Sequence, residues 1–314
     1  MSTRFSLLVP SFNREGLLRE TIESVLSQSH KNYELIVIDD GSTDGTWDML
    51  QSYGTRLRAL RQSNQGAEVA RNLGAAHATG EYLVLLDSDD LLMPHALATY
   101  DQVIRACDSP ALVIAALEEF VHGRTQPTFR GSPDLIEAWK YSDYLSKEVG
   151  VFLSASSLLI RKSVFDQGGG LRNSTVATWH VDCFATVLRF GTWGPCAVIK
   201  QPTTVAFRLH GANTMGNVEA MVNSMLFLIG EERQGQFPGG RARRFARYAC
   251  LGGMTHSWVR QALRAHRPWL ACKLLVRGTP MLAAGVMKRL RFILFKPAPA
   301  IRISSSWLDK PSQM

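Results

Sequence analysis

Three short apolar runs, each closed by a polar cluster, constrain this chain more than any other feature. Phe5 to Val9 ends at Pro10-Ser11, Tyr33 to Ile38 ends at Asp39-Asp40-Gly41-Ser42, and Glu81 to Leu86 ends at Asp87-Ser88-Asp89-Asp90. Runs of this length read as strands buried on both faces. Between the first two, Leu17, Leu18, Thr21, Ile22, Val25 and Leu26 recur at helical spacing. Ahead of the third, the Ala-rich stretch from Ala67 to Ala78 reads as a second helix. Strand, helix and strand with short connections predict parallel βαβ units. Open parallel sheets bind ligands beyond the carboxyl ends of their strands, so the three polar clusters are expected to converge on one edge.

The rest of the chain extends the same α/β pattern. Gly45 to Tyr53 reads as a helix, Leu57 to Leu60 as a strand, and Pro94 suits the first turn of a helix running to Ala106. Residues 120 to 150 read as a loop or a short excursion. Ser157 to Ile160 is a further strand, followed by a helix from Lys162 and a break at Gly168-Gly169-Gly170. A helix from Asp182 to Arg189 precedes strand-like runs at 196–199 and 203–207. Residues 217 to 295 read as mostly helical, punctuated by Pro268, Pro280 and Pro297. Two units are expected: 1–216 with the sheet, and a helical, basic region over 217–314.

Charge divides the chain at nearly the same place. Residues 1–232 carry 19 Lys+Arg against 26 Asp+Glu, whereas residues 233–314 carry 16 against the single acid Asp309. An acidic half joined to a basic one suggests a tether to an anionic surface; the plain alternative is a solvated basic face. Lys288-Arg289-Leu290-Arg291-Phe292-Ile293-Leu294-Phe295-Lys296 is the most amphipathic piece, suited to lying in a membrane interface or to packing on the sheet domain. Lys273 and Arg277 interrupt the best candidate for a spanning helix. No nucleic-acid motif accompanies the basic residues, and nucleic acid is not expected as a partner. Five cysteines without a CxxC pair fit a reduced, cytoplasmic protein, and a strand that begins by Phe5 leaves no signal peptide expected.

Chemistry concentrates in the acidic clusters. Carboxylates two apart on an extended chain point to one side, so Asp87 and Asp89 form a pair that calls for a cation. Mg²⁺ or Mn²⁺ prefers such oxygen ligands and shares them with substrate phosphates. The alternative is an acidic turn with Asp90 capping the following helix. Asp39-Asp40-Gly41-Ser42 is either a tight turn or a carboxylate site for a base or ribose. There is no GxGxxG, Walker A or GxSxG sequence to support a dinucleotide, P-loop or hydrolase reading.

Taken together, the motifs resemble family 2 glycosyltransferases of the GT-A fold. The resemblance is carried by Ser6-Leu7-Leu8-Val9-Pro10-Ser11-Phe12-Asn13-Arg14, Ser24-Val25-Leu26-Ser27-Gln28-Ser29 and Glu34-Leu35-Ile36-Val37-Ile38-Asp39-Asp40-Gly41-Ser42-Thr43-Asp44. Asn64-Gln65-Gly66, Ala70-Arg71-Asn72, Gly80-Glu81-Tyr82 and Asp87-Ser88-Asp89-Asp90 continue it in the family's order. It is dense over residues 5–95 and sparser to 214. It implies a Rossmann-like, mostly parallel sheet flanked by helices. It also implies a nucleotide-diphosphate-sugar donor (a UDP-sugar first), a hydroxyl acceptor and a divalent metal.

By that resemblance Pro10 and Ser11 line the nucleotide pocket, Asp40 binds the base and Arg71 lies near the donor. Asp87 and Asp89 form the DxD pair, with Asp89 on the metal and Asp87 nearer the ribose. Family members carry an acidic pair at the start of a helix as catalytic base. Here the stretch reads Trp179-His180-Val181-Asp182-Cys183, with Cys183 at the second acidic position. Asp182 is the only carboxylate between Asp166 and Glu219 and is the favoured base; His180 stays open as another. Arg208-Leu209-His210 resembles the family's Arg-x-His stretch, where His210 would complete the metal shell or touch the diphosphate. The implied activity is metal-dependent, inverting transfer in cell-surface polysaccharide or glycolipid synthesis; the basic C-terminal region leaves open, for a cytoplasmic protein, a peripheral place at the inner face of the plasma membrane and a lipid-linked acceptor. A non-catalytic nucleotide-sugar-binding or membrane scaffold, and a nucleotidyltransferase, are the alternatives.

Overall fold

The computed structural model describes residues 2–125, 127, 130–132, 134–147, 152–172, 182–211, 217–295 and 301–303. Its first half alternates strand and helix: β1 (Phe5–Ser11), α1 (Glu15–Leu26), β2 (Tyr33–Asp39), α2 (Thr46–Ser52), β3 (Arg58–Arg61), α3 (Ala67–His77) and β4 (Tyr82–Leu85). A short β5 (Leu91–Leu92), α4 (Ala96–Ala106), β6 (Leu112–Ile114), β7 (Leu117–Val121) and β8 (Glu137–Tyr141) follow. Next come β9 (Leu158–Arg161), α5 (Lys162–Gln167), α6 (Asp182–Phe190), β10 (Cys196–Gln201) and β11 (Val205–Leu209). Three long helices, α7 (Val218–Arg233), α8 (Arg244–Arg264) and α9 (Pro268–Phe295), precede β12 (Ile301–Ile303).

Nine strands form one sheet in the order β12-β8-β10-β6-β9-β4-β1-β2-β3, and β5, β11 and β7 form a small second sheet. The pairings make seven of the nine strands run one way, with β8 and β9 reversed. The register places Ser11 beside Asp39, so the ends of β1 and β2 are level.

Alternation along the central strands supplies two cores. Leu8, Ile36, Ile38, Leu83 and Leu85 face α3, α6 and the three long helices. Phe5, Leu7, Val9, Leu35, Val37 and Val84 face α1, α2 and α4. With both faces covered, the strands read as continuous apolar runs in the sequence, as buried parallel strands do. Residues of α7, α8 and α9, among them Met225, Leu251 and Leu274, share their core with Tyr144 and Val187 of the sheet region.

Three local expectations change. Residues 120–150 hold the strand β8 and the end of β7, not only a loop: their apolar positions are few because β7 is mostly on the surface. Pro94 lies outside α4, which starts at Ala96, and its carbonyl accepts from the Ser29 amide at 3.0 Å. Pro280 sits inside α9 instead of ending it, because packing against α8 outweighs the hydrogen bond a proline removes. Pro297 lies outside the described residues.

Candidate active site

The site is assembled from loops at the carboxyl ends of β1, β2 and β4. After β1 the chain turns at Asn13, whose φ is 50°. The Asn13 amide donates to Ser42 Oγ at 2.9 Å, and its Oδ1 accepts from the Thr43 amide at 2.8 Å. These bonds fasten the β1 loop to the β2 loop. Asp39, fully buried, accepts from the Ser42 amide at 3.0 Å and lies 3.0 Å from Arg61 Nε. Gly41 completes the turn with φ 81°; a Cβ there would stand 2.8 Å from the Asn64 amide nitrogen, so only glycine lets the two loops meet.

Asp40 is buried and organises the loop that enters α3. Its Oδ1 accepts from Gln62 Nε2 at 2.7 Å and from the Gln65 amide at 2.9 Å, and its Oδ2 accepts from the Gly66 amide at 2.8 Å. A carboxylate offers about four acceptor positions, so three are committed to that loop. The tight turn and the carboxylate site, weighed as alternatives in the sequence, are here one structure.

Arg71 reaches from α3 to Asp87. Its guanidinium is buried and its Nη2 pairs with Asp87 Oδ1, while its Nε has no hydrogen-bond partner among the described residues. Ser11 Oγ and Glu68 Oε1 are likewise buried without a partner among the described residues. Burial raises the Asp87 carboxyl above its ordinary value; Arg71 opposes this and Asp89 reinforces it. A third of the Asp87 side-chain surface stays accessible, so the pair is open to a ligand on one side.

Asp89 sits among cations and donors. Its Oδ2 lies 2.6 Å from Arg14 Nη1 and 2.9 Å from His210 Nε2, and those two nitrogens are 3.2 Å apart. His210 arrives on the residue after β11. Thus the structure brings Asp89 and His210 together across 121 positions of sequence.

Asp90 points inward. It accepts from Ser156 Oγ at 2.5 Å and from the Arg208 amide at 2.9 Å, so it does not cap α4, whose N-cap is His95. Burial, then Asp87 and Asp89, push its carboxyl well above the usual range. Arg208 is the buried hub of this corner. Its Nε donates to the Asp89 carbonyl at 2.6 Å, its Nη2 to Glu20 at 2.7 Å, and its Nη1 to His122 Nδ1 at 2.8 Å. Since arginine only donates, His122 Nδ1 is the acceptor. The roles of Arg14, Glu68, Ser156 and Arg208 are not legible in the sequence. Arg14 and Arg208 stand within recognised motifs, whereas nothing local marks Glu68 or Ser156.

Pro10 and Ser11 end β1 at this edge, as expected. Asp182 opens α6, but its side chain lies outside the described residues, as does His180. Among the described residues no three His, Cys, Asp or Glu side chains gather as a metal site. Asp89 Oδ2 and His210 Nε2 are an oxygen and a nitrogen donor that could hold a divalent cation, in place of the contact they now make with each other.

Comparison with known proteins decides the family. The profile described as Glycosyl transferase family 2 matches residues 6–168, more than half of the chain. The chain belongs to glycosyl transferase family 2. Among curated family relatives, glycosyltransferase GlyG of Streptococcus pneumoniae is 29% identical over 196 residues, covering 57% of this chain and 65% of GlyG. The chain spans less than two thirds of the length of such relatives. The fold is that of GT-A enzymes. The crystal structure of S. aureus TarS 1-349 in complex with UDP-GlcNAc superposes with a TM-score of 0.57 at 18% identity, over 77% of this chain and 69% of TarS. The mannosyltransferase PcManGT from Pyrobaculum calidifontis, in complex with GDP-Man and Mn²⁺, gives 0.52 at 16% identity, over 95% and 89%.

Proposed function

We propose that this chain transfers a sugar from a nucleotide-diphosphate-sugar, a UDP-sugar first, to an acceptor hydroxyl in cell-surface polysaccharide or glycolipid synthesis. Residues 1–216 would carry the donor and catalytic groups, and 217–314 a mostly helical region that shares their core and adds β12 to the sheet. The observation that carries the reading is the gathering of Asp87, Asp89, Arg14, Arg71 and His210 on one sheet edge. Two guanidiniums beside two carboxylates can take a diphosphate and a cation together. The unpartnered Ser11 Oγ, Arg71 Nε and Glu68 Oε1 support it, since a polar ligand would satisfy them.

In this mechanism Pro10, Ser11 and Asp40 hold the nucleoside, and Arg71 fixes Asp87 toward the ribose. Asp89 and His210 would hold Mn²⁺ or Mg²⁺, which, when bound, neutralises charge on the departing diphosphate. Asp182 takes the proton of the acceptor hydroxyl as its oxygen attacks the anomeric carbon. The bond from that carbon to the diphosphate breaks, and the configuration inverts. UDP and GDP donors named with the TarS and PcManGT structures support the donor class.

A donor screen tests this: purified protein, Mn²⁺ or Mg²⁺ and a panel of nucleotide-sugars, with release of nucleoside diphosphate as the readout. One donor should turn over, Asp89→Ala should lose roughly 10³-fold of that rate, and Asp182→Ala should lose transfer while donor still binds. Turnover indifferent to chelator and to Asp89→Ala would remove the metal role. Failure of every nucleotide-sugar to bind would favour a scaffold.

A further inference from the structure

Helix α9 is apolar on two opposite faces, and among the described residues only one of them is covered by the fold. Leu270, Leu274, Met281 and Ala284 are buried. They lie against α8 at backbone contact: a Cβ on Gly252 would stand 1.9 Å from the Met281 carbonyl oxygen. On the outward side Trp269 and Val276 keep 65% and 67% of their surface exposed, followed along the helix by Val286, Met287 and Leu290. With Phe227 of α7, Trp269 and Val276 line an open groove of about 840 Å³.

The rim of that groove is cationic. Arg233, Lys273 and Arg277 line it, and the Lys273 ammonium lies 4.7 Å over the Trp269 ring. No Asp or Glu occurs between Glu232 and Asp309. An aromatic and aliphatic stripe with cations beside it complements an anionic bilayer, whose headgroups meet the charges while the interface takes the side chains. A second copy of the chain would bring the same cations together and is disfavoured on charge.

By length and composition Pro268–Leu290 could cross a membrane. Crossing would place Lys273 and Arg277 in hydrocarbon and pull α9 off α8. Lying in the interface plane needs neither. At 28 residues the helix would extend about 42 Å along the surface.

We propose that the outward face of α7 and α9 docks on an anionic bilayer, with α9 in the plane of the interface. Trp269 and Val276 then insert at the acyl boundary, and Arg233, Lys273 and Arg277 lie at headgroup level. This does not depend on the glycosyl-transfer reading.

The test is co-sedimentation of the full chain with phosphatidylglycerol–phosphatidylcholine vesicles and with phosphatidylcholine alone. Binding should require the anionic lipid and weaken as salt rises. Each surface cation strengthens such partition roughly fivefold, so Lys273→Glu with Arg277→Glu should lower it about 25-fold or more. Trp269→Ser with Val276→Ser should lower it roughly tenfold with the charges intact. Thermal melting of both pairs checks that the fold is kept. Salt-labile binding untouched by the apolar pair would mean a polyanion site without insertion, and would overturn the proposal. So would a monomer that ignores anionic vesicles, or a dimer by sedimentation that the apolar pair dissociates. Resistance of bound protein to alkaline extraction would indicate a spanning helix and overturn the in-plane arrangement.

Discussion

The two ends of the central sheet hold their acidic groups in different ways. At the amino end the groups around Glu34 are hydrogen-bonded to one another, although Arg161 Nε, beside Tyr82, is buried without a partner among the described residues. Glu34 Oε1 accepts from Ser6 Oγ at 2.6 Å, the Thr79 amide at 2.7 Å and Thr79 Oγ1 at 2.8 Å, and Ser6 Oγ accepts in turn from the Gly80 amide. Asp101 accepts from the Thr3 amide, and Tyr82 donates to the Pro110 carbonyl. At the carboxyl end, three acids crowd within four residues, two with raised carboxyls, and Ser11 Oγ, Glu68 Oε1 and Arg71 Nε have no partner among the described residues. Like charges and orphaned atoms cost stability. The difference teaches that the acid at one end is neutralised by its own hydrogen bonds, while the acids at the other crowd together at a strained corner.

Breaking the pair that holds the carboxyl end together should have the largest effect. Arg71→Met would leave Asp87 facing Asp89 without its counter-charge. It should cost about 1–3 kcal/mol in chemical denaturation and at least about a hundredfold in donor turnover. A variant of normal turnover would show that Arg71 serves packing alone.

At the amino end the comparison predicts stability without activity. Burial raises the Glu34 carboxyl, but its bonds to Ser6 and Thr79 outweigh this and leave it below the ordinary value. A lowered carboxylate contributes stability that is present above its unfolded value and lost as pH falls through the folded one. Glu34→Gln should therefore cost about 1 kcal/mol at pH 7, allowing for its partial exposure, and less as pH is lowered below that range. Its turnover should match the parent. Melting curves from pH 3 to 7 alongside the donor assay would reveal any trespass on the site.

Ser11→Ala gives the smallest and sharpest contrast. Removing an unpartnered buried hydroxyl should leave stability within about 1 kcal/mol of the parent, yet raise the donor KM several-fold. A melting temperature that falls while KM stays put would place that hydroxyl in the fold's own network instead.

Much of the architecture is legible without coordinates. β1, β2 and β4 announce themselves because strands buried on both faces need unbroken apolar runs, and α1 and α3 because their apolar positions keep helical spacing. The polar clusters at the strand ends mark the site's edge. β7 and β8 are harder to see, since strands with exposed positions carry weak patterns, and the reversal of β8 and β9 leaves no local trace. The Asp90 side chain reads as a cap and is instead a buried acceptor for Ser156 and Arg208, partners far away in sequence.

By itself the sequence determined the alternation of strand and helix, the family, and which short segments hold the acids. These depend on periodicity and on residues that are neighbours along the chain. Only the tertiary structure decided that Arg14 and His210 meet at Asp89, that Arg71 is the counter-ion of Asp87, and that α9 has an apolar face uncovered by the described residues. Those outcomes depend on contacts across tens to hundreds of residues, where the energy lies in burial and charge pairing that no local pattern encodes.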